Sequence, residues 1–245
     1  NLCSYLSHNL EDQIRVKLFR YGEDLESALK ADPPQVAMFS NYIWNERLTG
    51  AWAERIKETD PSILVVFGGP NFPTDIHEKT KLLLRRPAID FYIELEGELG
   101  FVDLAKKLAE HGFLPDDLKA HGITALNTSY LHGGQMVSGR VERISDINVI
   151  PSPYLTGVLD EYFNLPLIPM IETTRGCPFS CTFCTSPNMW TTEWIPRDYK
   201  LVVDEMQEYQ KKYDVTDFQF EDLTAIVRSD WIINLCDEIL KRGMK

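Results

Sequence analysis

The 245 residues are 44% hydrophobic and 25% charged, the mix of an ordinary globular protein, with length for one large domain or two smaller ones. Their 25 Lys and Arg against 37 Asp and Glu leave a net charge of −12, which argues against a partner gripped through phosphates, so no nucleic acid is expected. No apolar run approaches the roughly 20 residues of a membrane helix, no secretory signal is visible, and an odd five cysteines, three of them between 177 and 184, do not make a secreted disulfide framework; a cytoplasmic protein without a membrane span is expected.

The chain begins at Asn1 rather than Met and stops at Lys245, just past a helix-like segment, so both ends are expected to be cuts in a longer protein. Residues 14–21 alternate and predict a strand, 23–31 a helix closed by Pro33 and Pro34, and 35–40 a short apolar strand. A helical pattern over 46–59 ends before Pro61. The continuous apolar run 62–67 predicts a strand buried on both faces, broken at once by Gly68-Gly69-Pro70. A helix over 74–86, a strand over 89–94 and a helix over 98–110 complete an alternation that predicts a parallel sheet with helices on both sides.

Within 123–144, ITALNTSYL and QMVSGRVERI flank His132-Gly133-Gly134 and predict a β-hairpin. Residues 145–169 carry Pro151, Pro153, Pro166 and Pro169 and read as a connector. Alternation resumes with a strand over 170–174, a cysteine-bearing loop, a helix over 198–212 opening at Asp198, a strand over 217–221 and a helix over 229–242, with Ser229 as N-cap and Gly243 just past the end. Cys236 falls in the apolar pattern of Trp231, Ile232, Leu235 and Ile239 and is expected to be a small buried hydrophobe. The resulting division is an α/β domain over 1–122, a hairpin and Pro-rich connector over 123–168, and a second domain, cut short, over 169–245.

The chemistry concentrates in Cys177, Cys181 and Cys184, spaced C-x3-C-x2-C. Three thiolates this close can bind three irons of a cubane cluster and leave the fourth iron open. Zinc sites prefer four ligands and CxxC pairs, and all five histidines lie before residue 133. A disulfide would leave one of the three unpaired.

Residues 172–184, ETTRGCPFSCTFC, with the aromatic Phe183 before the last cysteine, resemble the signature of the radical S-adenosylmethionine (SAM) enzymes. The resemblance implies a [4Fe–4S] cluster on Cys177, Cys181 and Cys184, SAM chelated to its open iron, and the first part of a partial (β/α)6 barrel whose first strand ends at the cysteines. Phe183 would lie beside the cofactors. Glu221 and Asp222 close the second strand and would face the SAM amino group, on the active face of such a barrel. Only 76 residues follow Pro169, room for about two βα units, so the remaining barrel strands are absent.

The first half carries Phe39-Ser40-Asn41-Tyr42-Ile43-Trp44-Asn45 after one strand, Gly68-Gly69-Pro70 after the next and Glu94-Leu95-Glu96-Gly97-Glu98 after the third. This order resembles the cobalamin-binding domain that precedes the barrel in the cobalamin-dependent subgroup. The fold class implied is α/β, a Rossmann-like parallel-sheet cobalamin-binding domain followed by the first part of the barrel. Ser40, Gly68 and Gly69 would lie along the nucleotide tail of cobalamin, with Asn41, Pro70 and Gly97 near it. Tyr42 and Trp44 read equally well as core aromatics. The family fold begins with a strand and a helix before residue 14, of which only the helix end near 1–9 is expected here.

The function implied is radical chemistry with SAM and cobalamin on an unactivated carbon of a small-molecule substrate. The outcome would be methyl transfer or a related reaction such as ring closure, fed by an electron donor such as flavodoxin or ferredoxin. One rival is a methylthiotransferase-like enzyme acting on tRNA, but that family carries three more cluster cysteines in its first domain, where only Cys3 stands. A cobalamin- or metal-binding sensor without catalysis is another. Asp75-Ile76-His77 mimics the start of a D-x-H-x-x-G cobalt-ligating motif, but position 80 is Thr, and His77 is not expected on cobalt.

Overall fold

The computed structural model describes residues 1–163, 167–184 and 193–244. By packing, the chain falls into two compact units, residues 17–143 and residues 1–16 with 144–245. Among the described residues no helix is long and apolar enough to cross a membrane.

After helix α1 (Leu2–Leu10), which belongs to the second unit, the first unit runs α2 (Gly22–Ala31), β1 (Val36–Ser40), α3 (Glu46–Thr59), β2 (Leu64–Gly68), α4 (Ile76–Arg85), β3 (Phe91–Ile93), α5 (Gly97–Glu110), α6 (Pro115–Ala120), β4 (Thr128–His132) and β5 (Gln135–Ser138). Its sheet has the order β1-β2-β3-β4-β5. The first three strands are parallel, in a register that aligns Ser40 with Gly68 and Gly68 with Ile93 at their carboxyl ends. Leu64, Val65, Val66 and Phe67 are all buried, which is why β2 reads as an unbroken apolar run. Ala53 and Ile56 of α3, and Leu83 of α4, pack with it into one core.

The expected hairpin forms, and it continues this sheet: β4 pairs antiparallel with β3, and His132 pairs with Gln135 across Gly133 and Gly134, both at positive φ (58° and 78°). Two positive φ angles in a two-residue loop match the right-handed twist of the strands. The strand expected over 14–21 does not form. The sheet begins at β1, and an alternating segment with no neighbouring strand has no ladder to join.

The second unit pairs α1 with β6 (Met170–Ile171), β7 (Thr174–Arg175), β8 (Ile195–Pro196), α7 (Tyr199–Tyr213), β9 (Gln219–Phe220) and α8 (Ser229–Lys241). β6 runs parallel to β9 across α7, the arrangement of two consecutive βα units. The expected strand 170–174 is interrupted after Ile171, because the N–H groups of Thr173 and Thr174 go to the Asp222 carboxylate instead of a ladder. Tyr154, Ile171, Val202, Val203, Met206, Tyr209, Trp231 and Leu235 form the core. Pro166 of the connector lies outside the described residues. The hydroxyl of Tyr154 ties the connector to β6, accepting from Met170 N at 2.8 Å and donating to Met170 O at 3.1 Å.

Asp198 caps α7 by accepting from Lys200 N at 2.8 Å, as expected. Gly243, at φ 67°, ends α8 as expected. Two expectations on α8 fail. Ser229 is its first helical residue and not its cap; the cap position is Arg228, which instead pairs with Asp230. Cys236 is exposed: Trp231 and Leu235, four apart, turn to the core, and the next residue falls off that stripe.

Candidate functional site

Two places gather the residues singled out by the sequence, one in each unit. The first is the carboxyl end of β1, β2 and β3. Here the backbone of Asn41 and the Gly68-Gly69 turn interlock. Asn41 N donates to Gly68 O at 2.6 Å, and Asn71 N donates to Asn41 O at 3.2 Å. The Asn41 amide is buried and donates to Asn71 O and to the Tyr92 hydroxyl, both at 3.1 Å; that hydroxyl donates to Gly69 O at 3.0 Å. Burial raises the Tyr92 phenol well above its ordinary pKa, so it stays a donor. The other atom of the Asn41 amide, Oδ1, is buried with no hydrogen-bond partner among the described residues.

The three glycines differ. Gly69 has φ 114°, and a Cβ there would stand 2.8 Å from Asn41 O and 3.1 Å from Asn41 N, so the protein's own backbone demands glycine. A Cβ on Gly68 would meet only ordinary contacts, with Ile93 O at 3.5 Å, and on Gly97, at the start of α5, nothing within 4 Å. Packing therefore explains Gly69 and leaves Gly68 and Gly97 free to face a ligand. Ser40 is exposed and Pro70 half-buried beside them. Tyr42 and Trp44 are not core aromatics: their rings stack 4.5 Å apart, with Ile43 and Trp44 each 78% exposed. This row of small and open residues fits a ligand laid along the strand ends. His77 stands exposed in the first turn of α4, and Asp75 is the cap of that helix, accepting from His77 N at 2.9 Å and Glu78 N at 3.1 Å. Capping accounts for the pair.

The second place is the cysteine loop after β7. Glu172 accepts two bonds from the nearly buried Arg175, Nε to Oε1 at 2.7 Å and Nη2 to Oε2 at 2.8 Å, which holds the strand end before the loop. Gly176, at φ 88°, then turns the chain. Cys177 is half-buried, and its Sγ accepts from the Thr224 hydroxyl at 3.1 Å. Cys181 is exposed and Cys184 half-buried, joined in a turn by Cys184 N donating to Cys181 O at 3.1 Å. Phe183 is 90% exposed.

None of the five cysteines is in a disulfide, and among the described residues no three His, Cys, Asp or Glu side chains enclose a point as metal ligands do. The donor set nonetheless suits an iron–sulfur cluster: three thiols on one loop, one of them exposed and two half-buried, with no fourth ligand in the segment. Glu221 is exposed, with Gln219 donating to its carboxylate at 3.0 Å. Asp222 is engaged. Its Oδ1 accepts from Thr173 N at 2.8 Å and Thr174 N at 2.6 Å, and its Oδ2 from the Thr173 hydroxyl. Burial holds this carboxyl above the ordinary range, while those three donors pull it back down. Thr224 lies two residues past Asp222 in the chain. Nothing in the residue order links it to a cysteine 47 positions away.

No family model matches the chain. Over 167 residues, 65% of its length, the chain is 36% identical to the 2-(S-pantetheinyl)-carbapenam-3-carboxylate methyltransferase of Streptantibioticus cattleyicolor, covering 23% of that protein. Over 243 residues, 96% of its length, it is 28% identical to the anaerobic magnesium-protoporphyrin IX monomethyl ester cyclase of Rubrivivax gelatinosus, covering 40% of it. Among solved structures it is similar to the cobalamin-dependent S-adenosylmethionine radical enzyme OxsB with aqua-cobalamin and S-adenosylmethionine bound, with a TM-score of 0.75 at 20% identity, over 100% of this chain and 35% of that one. That last likeness is one of fold. The chain thus spans less than half the length of these relatives.

Proposed function

The chain belongs to the cobalamin-binding radical SAM enzymes, and on that premise we propose that the full protein transfers a methyl group to, or closes a ring on, an unactivated carbon of a small molecule. The observation that carries this reading is the C-x3-C-x2-C loop leaving a strand end that runs parallel to the next strand across one helix. Cys177, Cys181 and Cys184 hold three irons of a [4Fe–4S] cluster and leave the fourth for SAM. With SAM bound, such a cluster would supply one-electron reducing chemistry to the sulfonium. The Glu172–Arg175 pair and Gly176 fix where the loop leaves the strand. Phe183 would lie beside the cofactors, and exposed Glu221 would face the SAM amino group. Asp222, spent on Thr173 and Thr174, shapes the strand end that presents Glu221.

In the other unit, Ser40, Gly68 and Gly97 line the nucleotide tail of cobalamin, and Gly69, Asn41 and Pro70 build the turn behind it. The electron comes from a donor of the flavodoxin or ferredoxin class. The tRNA methylthiotransferase and sensor readings are not favoured, because the relatives are methyltransferases and cyclases.

Anaerobic reconstitution of the full-length protein should give cluster absorption near four irons per chain, 5′-deoxyadenosine on adding SAM and reductant, and extractable cobalamin. Cys177→Ala, Cys181→Ala and Cys184→Ala should each abolish the iron, whereas Cys3→Ala and Cys236→Ala should retain it. Iron loss in Cys236→Ala as complete as in Cys181→Ala would refute the ligand assignment, and a loaded protein that yields no deoxyadenosine would refute the activity.

A further inference from the structure

We infer that Thr224 sets the reduction potential of the cluster by donating a hydrogen bond to the sulfur of Cys177. The inference rests on the cluster reading above and goes beyond it to a residue outside the cysteine loop. The Thr224 hydroxyl oxygen lies 3.1 Å from Cys177 Sγ. The hydroxyl is not free to wander, because the backbone of the same residue is clamped. Its carbonyl accepts from Trp194 Nε1 at 3.1 Å and from the Thr174 hydroxyl at 3.3 Å. Trp194 in turn meets the buried Trp231 edge-on at 6.0 Å, and Trp231 Nε1 donates to Arg197 O at 2.9 Å. A core tryptophan thus supports the group that reaches the sulfur. The neighbouring hydroxyls are committed elsewhere, Thr173 to Asp222 and Thr174 to Thr224 O.

The Thr224 hydroxyl has one proton and two acceptors, Cys177 Sγ and, at 2.8 Å, Leu223 O. A cluster-bound thiolate is the stronger acceptor, since hydrogen bonds to charged groups exceed neutral ones. Reduction adds one electron to the cluster and no proton leaves Thr224, so the bond strengthens as negative charge on the sulfurs grows. Hydrogen bonds to the sulfurs are among the recognised determinants of cluster potential. One such bond, at the usual worth of a protein hydrogen bond, shifts the reduction equilibrium by about tenfold, which is ~59 mV for a one-electron couple.

The test is a dithionite titration of full-length, anaerobically reconstituted protein, followed by EPR of the reduced cluster, for wild type, Thr224→Val and Thr224→Ser. Iron and sulfide contents are measured first. All three should load fully, with Val reduced at a potential lower by about tenfold in equilibrium constant and Ser within about twofold of wild type. Equal midpoints for fully loaded wild type and Val would overturn the inference and leave the cluster reading intact. So would a Ser variant shifted as far as Val. If Val loads poorly, Thr224→Ala gives the same comparison, and cluster loss in both would make Thr224 a structural prop and not a tuning group. A wild-type protein that forms no cluster would sink the underlying reading itself.

Discussion

At the carboxyl end of β1 to β3, the chain is locked by its own backbone: Gly69 rests against Asn41, the Asn41 amide donates to Asn71 O and the Tyr92 hydroxyl, and that hydroxyl donates back to Gly69 O. At the cysteine loop the chain is held at its two sides, by Arg175 on Glu172 before the loop and by Thr224 on Cys177 at its start, while Cys181 and Phe183 stand in solvent. The first place is finished by protein packing. The second presents three thiols whose final spacing, on the proposed function, metal bonds would set, as metal binding commonly completes the fold of its own site. Substitutions should therefore cost stability in the first place and cluster content in the second.

The sharpest way to break that contrast is Gly69→Val. The φ of 114° strains any L-residue by about 1–3 kcal/mol, and the contact with Asn41 O adds to this, so the full-length protein should lose at least about 3 kcal/mol in urea unfolding. Gly97→Ala, into open space at the first position of α5, should change stability by less than about 1 kcal/mol, with a gain the expected sign. A Gly69→Val protein as stable as Gly97→Ala would mean that the turn is not locked. Next in size is Asn41→Leu, which removes the amide donor to Asn71 O and Tyr92 OH and leaves both acceptors buried or half-buried. A loss of about 2 kcal/mol is expected, seen as a lower urea midpoint at unchanged slope.

What the sequence made legible follows the same contrast. The apolar run of β2, the Gly-Gly hairpin and the glycine turn were readable because each is a local pattern with one physical solution. Residues 14–21 misled because alternation states only which faces differ; a strand also needs a neighbour, and the sheet begins at β1. Cys236 misled because the buried stripe of α8 is narrow, running through Trp231 and Leu235. The three cysteines were singled out by their spacing, and the structure places them on one loop after β7. Thr224 and Asp222 were not readable in their roles, since both act on residues nearly 50 positions away and meet them only once β9 lies beside β6.

The smallest expected effect concerns Asp222, and it tests whether the strand end at the cysteine loop is held by charge or by shape. Asp222→Asn keeps most of the bonding: an amide oxygen can accept from Thr173 N and Thr174 N, and the amide nitrogen can donate to the Thr173 hydroxyl in place of accepting from it. The stability change near neutral pH should be about 1 kcal/mol or less. Its pH dependence has a definite sign. Burial raises the Asp222 pKa above the ordinary 3.8, more than its three donors lower it. The native state then binds a proton more readily than the unfolded state, so the contribution of Asp222 is fully present below the ordinary value and is lost as pH rises through the raised one. Asn does not titrate. The difference in melting temperature between the two full-length proteins, followed upward from pH 4, should therefore move in favour of Asn as pH rises. A difference that moved toward Asp would show that the two N–H groups and the hydroxyl outweigh burial, making Asp222 an anchored carboxylate whose charge itself holds β6 and β7 in place.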